Sequence, residues 1–211
     1  MNDHDHDHPH EPITNGDEPL AAARARALEE LLVEKGVVRR EDVRAGIDWL
    51  VSRSPADGAR LVARAWVDPE FKQRLLVDAR EAALELGLDP GPSPVVVAVE
   101  NTEAVHHVVV CTLCSCYPRA LLGPPPDWYK SLAYRSRTVS DPRGVLAEFG
   151  LELDDEIEVR VLDSTADIRY LVIPRRPDGT EELGEDELAA LVTRDSMIGV
   201  AQPAAPAPAP A

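Results

Sequence analysis

Asp89-Pro-Gly-Pro-Ser-Pro94, followed at once by Val95-Val-Val-Ala-Val99, is where this chain changes character. Three prolines and a glycine in six residues break any helix, and the β-branched run after them reads as a strand. Upstream, the apolar spacing is helical. Leu28, Leu31, Leu32 and Lys35 share a stripe that stops at Gly36, and Val43, Ile47, Leu50 and Val51 form a second. Leu61, Val62, Ala65 and Trp66 form a third. Asp68-Pro69 is a cap signal for a fourth helix carrying Phe71, Leu75, Leu76, Ala79, Ala83 and Leu86 as far as Gly87. Downstream, His106-His-Val-Val-Val110 and Ile168-Arg-Tyr-Leu-Val-Ile173 read as strands, and Ile157, Val159 and Val161 alternate as a half-buried one. Two helices interrupt these, opened by Ser140-Asp141-Pro142 and by Gly184-Glu-Asp-Glu. The predicted organisation is a His/Asp-rich arm over 1–18, a helical segment over 19–93, an α+β domain over 94–201 and a Pro/Ala tail over 202–211.

The 211 residues hold 22 Lys+Arg against 38 Asp+Glu, a formal net charge of -16. Such a chain repels nucleic acid and anionic membranes unless a basic patch overrides the field, and no Lys/Arg-dense run is present. No apolar run approaches the ~18 residues of a membrane span, and the N-terminus lacks the basic and apolar regions of a secretory signal. The expectation is a cytoplasmic protein without nucleic-acid or membrane partners. His4, His6, His8 and His10 alternate with Asp3, Asp5 and Asp7; the pattern reads as a solvated arm, or as a weak collector of divalent metal. Aromatics are only 4% of the chain, so the core must be built from Ala, Val and Leu.

All three cysteines, Cys111, Cys114 and Cys116, lie within six residues, directly after the strand 106–110. A disulfide scaffold would spread them to close loops, so the cluster points to one local thiol site. Several chemistries fit. Structural zinc wants four donors and would have to borrow His106 or His107, cramped at a strand end. A redox pair fits Cys111-x-x-Cys114 but leaves Cys116 without a role. Free thiols are a further reading. A metal claw fits the tight Cys114-Ser115-Cys116 spacing. The sulfur and backbone nitrogen of Cys116 close a five-membered chelate ring, the Ser115 nitrogen closes another, and the Cys114 sulfur closes a six-membered ring. Cys111 then returns as an axial sulfur and a sixth position stays open. Deprotonated amides and thiolates together favour a trivalent octahedral ion, cobalt or iron.

At these residues the sequence resembles the nitrile hydratase α subunit of the cobalt type. The likeness is carried by Val108-Val-Val-Cys-Thr-Leu-Cys-Ser-Cys-Tyr-Pro118, Leu122-Gly123, Pro125-Pro-Asp-Trp128-Tyr-Lys-Ser131, Tyr134-Arg-Ser-Arg137, Asp141-Pro-Arg-Gly-Val-Leu146 and Thr193-Arg-Asp-Ser-Met-Ile-Gly-Val200. It extends over about residues 20–201. The resemblance implies an α+β fold with a helical arm followed by a layered α/β/β/α domain. It implies a non-corrin Co(III) centre, with Fe(III) as the lesser alternative, since Thr112 and Tyr117 are what the cobalt branch carries. The ligands would be the sulfurs of Cys111, Cys114 and Cys116 with the backbone nitrogens of Ser115 and Cys116. Cys114 would be oxidised to sulfinate and Cys116 to sulfenate. The same likeness implies a β subunit in a heterodimer or heterotetramer, a cobalt-loading activator protein, and hydration of a small nitrile to its amide. Cys116, Ser115 and Cys114 are the candidate catalytic residues. Either the metal acts as a Lewis acid or the Cys116 sulfenate oxygen attacks the nitrile carbon, with the Ser115 hydroxyl orienting water or substrate. Thiocyanate hydrolase, whose metal subunit shares the claw, is the close alternative, and a non-catalytic zinc or thiol module the distant one. Two departures stand out: Arg119-Ala120 where many members have Trp-Pro, and Pro124 where Leu is common. Trp128, Tyr129 and Tyr134 read as pocket walls or as core and interface anchors, and His106 and His107 as satisfied structural histidines, one facing inward.

Overall fold

The computed structural model describes residues 18–91 and 95–204. The His/Asp arm, Pro92–Pro94 of the breaker and the end of the Pro/Ala tail lie outside the described residues. Five helices come first: α1 Glu18–Glu34, α2 Arg40–Val51, α3 Pro55–Val67, α4 Pro69–Val77 and α5 Ala79–Glu85. Then follow β1 Val95–Glu100 and β2 Val105–Val110. The short helices α6 Arg119–Leu122, α7 Asp127–Lys130, α8 Leu132–Ser140 and α9 Pro142–Glu148 lead to β3 Glu158–Asp163 and β4 Ile168–Ile173. The helices α10 Glu185–Leu191 and α11 Arg194–Ile198 close the fold.

The expected α+β class holds. β1 runs parallel to β4, from Val95 opposite Ile168 to Glu100 opposite Ile173. β2 runs parallel to β3, from Val105 opposite Glu158 to Val110 opposite Asp163. β2 also touches β1 and β4, which brings the two small sheets together. Helices α4 and α5 lie on β1, α8 on β2, α9 on β3 and α11 on β4. The shared core holds Leu61 and Val62 of α3, Phe71 of α4, Val108, Val109 and Val110 of β2, and Leu171, Val172 and Ile173 of β4. Each such aliphatic side chain contributes about 1.5–3 kcal/mol by leaving water.

Local chemistry explains most element boundaries. The Asp68 carboxylate accepts from Phe71 N at 2.9 Å and starts α4; Asp141 does the same for Gly144 N at 2.9 Å and starts α9. Glu187 reaches back to Gly184 N at 2.9 Å at the head of α10. The single helix expected from Phe71 to Leu86 is two. Asp78 takes an extended backbone and its carboxylate accepts from Arg80 N and Glu81 N, so it caps a new helix where the apolar spacing runs on unbroken. The four helices between β2 and β3 include two that the periodicity did not show, α6 and α7, each one turn long; α8 and α11 also went unread.

The two N-terminal stripes are helical as expected but face outward. No residue of α2 is buried, and Leu28, Ile47 and Val51 stay 57%, 52% and 70% exposed. Trp49 ties α2 to the breaker segment, donating from Nε1 to Asp89 Oδ2 at 3.0 Å. Its ring lies over Gly91, whose φ of +67° and closeness (2.7 Å from a built Cβ to the ring) leave no space for a side chain. At the other end the fold continues into the Pro/Ala segment: Pro203 is buried and Ala204 N donates to Leu191 O at 2.8 Å. Among the described residues no helix is long and apolar enough to cross a membrane.

Candidate metal centre

β2 delivers the cysteines. It ends at Val110, and the segment Cys111–Pro118 leaves the sheet without regular structure until α6 begins at Arg119. A segment outside the ladder must satisfy its backbone groups by other means. Here three side chains do so, and a fourth holds the end of β2. Tyr134 donates to Val109 O at 2.7 Å, Arg135 donates to Cys111 O at 3.0 Å and to Thr112 O at 2.6 Å, and Tyr129 donates to Cys116 O at 2.8 Å. From β3, the Asp163 carboxylate accepts from Thr112 N at 3.0 Å and from the Thr112 hydroxyl at 2.6 Å. The parallel register makes this possible, because Asp163 sits opposite Val110.

The result is convergence of the three sulfurs, all within 4.8 Å of one another. Cys111 and Cys114 Sγ are 3.5 Å apart, Cys114 and Cys116 Sγ 3.2 Å, and Cys114 N donates to Cys111 Sγ at 3.3 Å. Cys111 and Cys116 are buried and Cys114 is exposed. Hydrogen bonding from Cys116 and Cys111, with backbone N–H groups of Ser115 and Cys116 turned toward the same sulfur, lowers the Cys114 thiol to about 7. Burial pushes the Cys116 thiol up to about 12, and the positive charge of Arg169 opposes that rise.

This donor set suits a metal of right-angled geometry. Bonds of about 2.3 Å meeting at 90° place two sulfurs about 3.3 Å apart, whereas a tetrahedral angle places them about 3.8 Å apart. The Cys114–Cys116 separation of 3.2 Å matches the first value, and the Cys111–Cys114 separation of 3.5 Å lies between the two. Among the described residues no His, Asp or Glu joins the three sulfurs, so they do not make the closed four-ligand set of a structural zinc site. The redox reading lacks its helix, since none opens at Cys111. His106 and His107 are both buried, rather than one, because β2 is covered on both faces. Both are bonded away from the sulfurs. Asn101 donates from Nδ2 to His106 Nδ1 at 3.1 Å, so His106 donates from Nε2 to Gly199 O at 2.7 Å. Asn101 Oδ1 accepts from His107 N at 2.8 Å and from His107 Nδ1 at 3.2 Å. Gly199 is required there: at φ +91° its Cβ would lie 1.9 Å from His107 O.

A cleft of about 310 Å³ opens above the cluster, lined by Trp49, Leu50, Cys114, Ser115, Cys116, Tyr117, Arg119 and Arg169. Ser115 is half-buried in it. Trp128, Tyr129 and Tyr134 do not line it. Tyr129 and Tyr134 are fully buried, and with Trp128 and Phe149 they form an edge-to-face cluster with centroids 4.7–6.2 Å apart. Sequence reasoning missed Asp163, Arg135, Arg169 and Trp49 as parts of the site. Arg135 carried a signal in the segment Tyr134-Arg-Ser-Arg137, and Asp163 one as the charged end of a strand; Arg169 and Trp49 carried none.

The family model for the nitrile hydratase α chain matches residues 20–201. The low-molecular-weight cobalt-containing nitrile hydratase α subunit of Rhodococcus rhodochrous is 53% identical over 193 residues, covering 89% of this chain and 91% of that one. The thiocyanate hydrolase γ subunit of Thiobacillus thioparus is 46% identical over 188 residues, covering 84% and 77%. Among solved structures, a double mutant of Fe-type nitrile hydratase from Comamonas testosteroni Ni1 superposes with a TM-score of 0.83 at 44% identity, covering 93% of this chain and 98% of that one.

Proposed function

The chain belongs to the nitrile hydratase α-chain family, and on that premise we propose that it is the metal-bearing subunit of an enzyme that hydrates a nitrile to its amide. The observation that carries this reading is the convergence of three cysteine sulfurs at the floor of an open cleft. The sulfurs of Cys111, Cys114 and Cys116 and the backbone nitrogens of Ser115 and Cys116 would hold the ion. Cobalt(III) is favoured over iron by Thr112 and Tyr117 and by the cobalt-containing relatives. When bound, the ion supplies Lewis acidity toward a nitrile or a water molecule.

This chain's residues do the rest. By the family resemblance Cys114, the exposed sulfur, is assigned the sulfinate and the buried Cys116 the sulfenate, both steps on the ordinary thiol oxidation ladder. The Cys116 oxygen is the candidate nucleophile toward the nitrile carbon. Ser115 holds its hydroxyl beside it to orient water or substrate. Tyr129, Arg135 and Asp163 fix the loop so that these groups need not reorganise during the reaction. The outward apolar faces of α1 and α2 support a partner, the β subunit, in a heterodimer or heterotetramer, and a cobalt-loading activator is part of the proposal.

The test is co-expression with the β subunit in cobalt medium, followed by metal analysis, peptide mass spectrometry and assay. Expected are one cobalt per αβ pair, two added oxygens on Cys114, one on Cys116, and amide release from a nitrile. Stoichiometric zinc on three unmodified thiols in inactive protein would sink the reading. Thiocyanate hydrolysis is the second reading, supported by the γ-subunit relative and by the cationic cleft; carbonyl sulfide release from thiocyanate with no amide release from nitriles would select it.

A further inference from the structure

The lining of the cleft over the cysteines divides by chemistry. Ser115, Arg119 and Arg169 are polar or charged, Cys114 and Cys116 bring the sulfurs, and Trp49 and Leu50 of α2 are apolar. Tyr117 completes the lining but is buried and offers it little surface. Trp49 and Leu50 are half-buried, yet no residue of α2 is buried, so no core of its own fixes where this apolar wall stands. The breaker segment fixes it instead. The indole donates from Nε1 to Asp89 Oδ2 at 3.0 Å and rests on Gly91. Arg53 joins the two: its guanidinium lies 4.8 Å from the ring centroid and 3.6 Å from Asp89 Oδ2. The seat is itself pinned, because Asp89 Oδ1 accepts from Gly91 N at 2.9 Å and Arg80 donates to Gly91 O at 2.7 Å. A Cβ built on Gly91 would also come within 3.6 Å of Ala120 of α6, so the ring is seated beside the helix that follows the cysteines.

We propose that Trp49, with Leu50, is the subsite for the apolar side group of the substrate, that Asp89 is the positioning residue that sets it, and that aromatic nitriles are therefore preferred. The proposal rests on the hydration reading above and names its substrate class. The nitrile carbon has to reach the Cys116 and Ser115 side of the cleft. The rest of the molecule then lies against what remains of the lining. A guanidinium offers an apolar group no compensation for the water both lose, whereas the side chains of α2 do. An indole and a second ring also attract one another beyond the area they cover. At about 310 Å³ the cleft is at the small end of ligand pockets, which suits a single ring. The side group is held alike before and during the reaction, so its contacts govern KM and not kcat.

The experiment uses the metal-loaded complex with its β subunit, native or carrying Trp49→Ala, Trp49→Phe, Asp89→Leu or Asp89→Asn. kcat and KM are measured for benzonitrile and acetonitrile. The native complex prefers benzonitrile. In Trp49→Ala the ratio of benzonitrile to acetonitrile kcat/KM falls about 10- to 100-fold, through KM, the scale on which an apolar pocket discriminates. Trp49→Phe, which keeps a ring, recovers part of it. Asp89→Leu leaves the ring and removes its anchor, and the ratio falls by about 3- to 10-fold; Asp89→Asn, which still accepts from the indole, restores it. An unchanged ratio in Trp49→Ala, equal losses on both nitriles, or a loss confined to kcat overturns the proposal. So does loss of metal from Trp49→Ala, which would make the wall a support of the cysteine segment. A ratio that moves in Trp49→Ala but not in Asp89→Leu overturns the role of Asp89. If no nitrile is turned over, the hydration reading itself fails, and calorimetric titration with benzamide still tests the wall. Affinity at least about 10-fold weaker in Trp49→Ala supports it; equal affinity, or no binding to the native complex, overturns it.

Discussion

One strand, β2, carries two polar clusters, and its two ends treat them in opposite ways. At the entering end, His106 and His107 are buried and both bond inside the chain, to the Asn101 side chain and, for His106, also to the Gly199 carbonyl. At the leaving end, the carbonyls of the cysteine segment are satisfied from α7 and α8, but among the described residues the sulfurs meet only one another and the N–H groups of their own loop, beneath an open cleft. A closed network spends its donors and acceptors on holding the fold. An open one leaves its donors for something the chain does not contain. Residues rich in chemistry therefore sit at both ends, and only the end with unspent donors is a site.

The largest effect that separates the two ends comes from the sulfurs. Cys114→Ala removes the middle donor of the cluster. The metal content of the complex is expected to drop to background and activity to fall by more than about 1,000-fold, the scale for loss of a group that acts as part of a unit. Its melting temperature should move far less than its activity. Asn101→Leu should do the reverse. It strips His106 Nδ1 and the His107 backbone N–H of their partners inside the core, a loss of about 2–4 kcal/mol of stability by thermal or urea unfolding. Any metal-loaded fraction that folds should keep its oxidised cysteines. If Asn101→Leu instead removed the metal while leaving stability intact, the contrast between the ends would be wrong.

Much of this arrangement was legible in the sequence, for identifiable reasons. β1, β2 and β4 are runs of β-branched residues, and Asp68-Pro69 and Asp141-Pro142 are local cap signals that need no tertiary information. The cysteine spacing states its own chelate rings. What could not be read was non-local. Nothing in the order of the strands says that β1 takes β4 and β2 takes β3, so nothing placed Asp163 beside Thr112. The helices α6 and α7 are each one turn long, too short for a period to show. Asp78 has the composition of a helix surface residue and acts instead as a cap. The stripe of α2 is nearly as amphipathic as that of α3, but periodicity records a face and not what covers it. Leu61 of α3 is fully buried while Ile47 of α2 faces out.

A smaller effect probes how the open end is held. Asp163→Ala leaves every donor atom in place and removes the carboxylate that grips Thr112 at both its N–H and its hydroxyl. Outer partners of metal ligands typically account for 10- to 100-fold in affinity or activity, and a loss of about that size in kcat or in resistance to chelator is expected. Asp163→Asn, which can still accept from the hydroxyl, should lie between. Loss as severe as that of Cys114→Ala would mean that the carboxylate does more than position the loop.

The smallest effect belongs to the closed end and is read with acid. Burial holds His106 below the ordinary histidine range, and burial with the nearby charge of Arg160 does the same for His107. The Asn101 amide gives the reason in hydrogen bonds: a proton arriving at His106 Nδ1 would meet the amide N–H that already points there. In the unfolded chain both rings take up protons near pH 6.5, while in the folded chain they stay neutral to lower pH. The unfolded state then binds more protons, so stability from this source is complete above about pH 7.5 and declines as the pH falls through and below about 6.5. The carboxylates held low by their partners, Asp68, Glu85, Asp89 and Glu158, contribute stability that is lost only further down, as the pH falls below about 4. Between pH 5 and 7 the histidine contribution therefore stands alone among these groups. The melting temperature of the complex should decrease across that window, and a His106→Gln, His107→Asn variant, less stable at pH 7.5, should show a shallower decrease. An equal slope in both proteins would remove the histidines from the account and leave the closed end of β2 without its acid sensitivity.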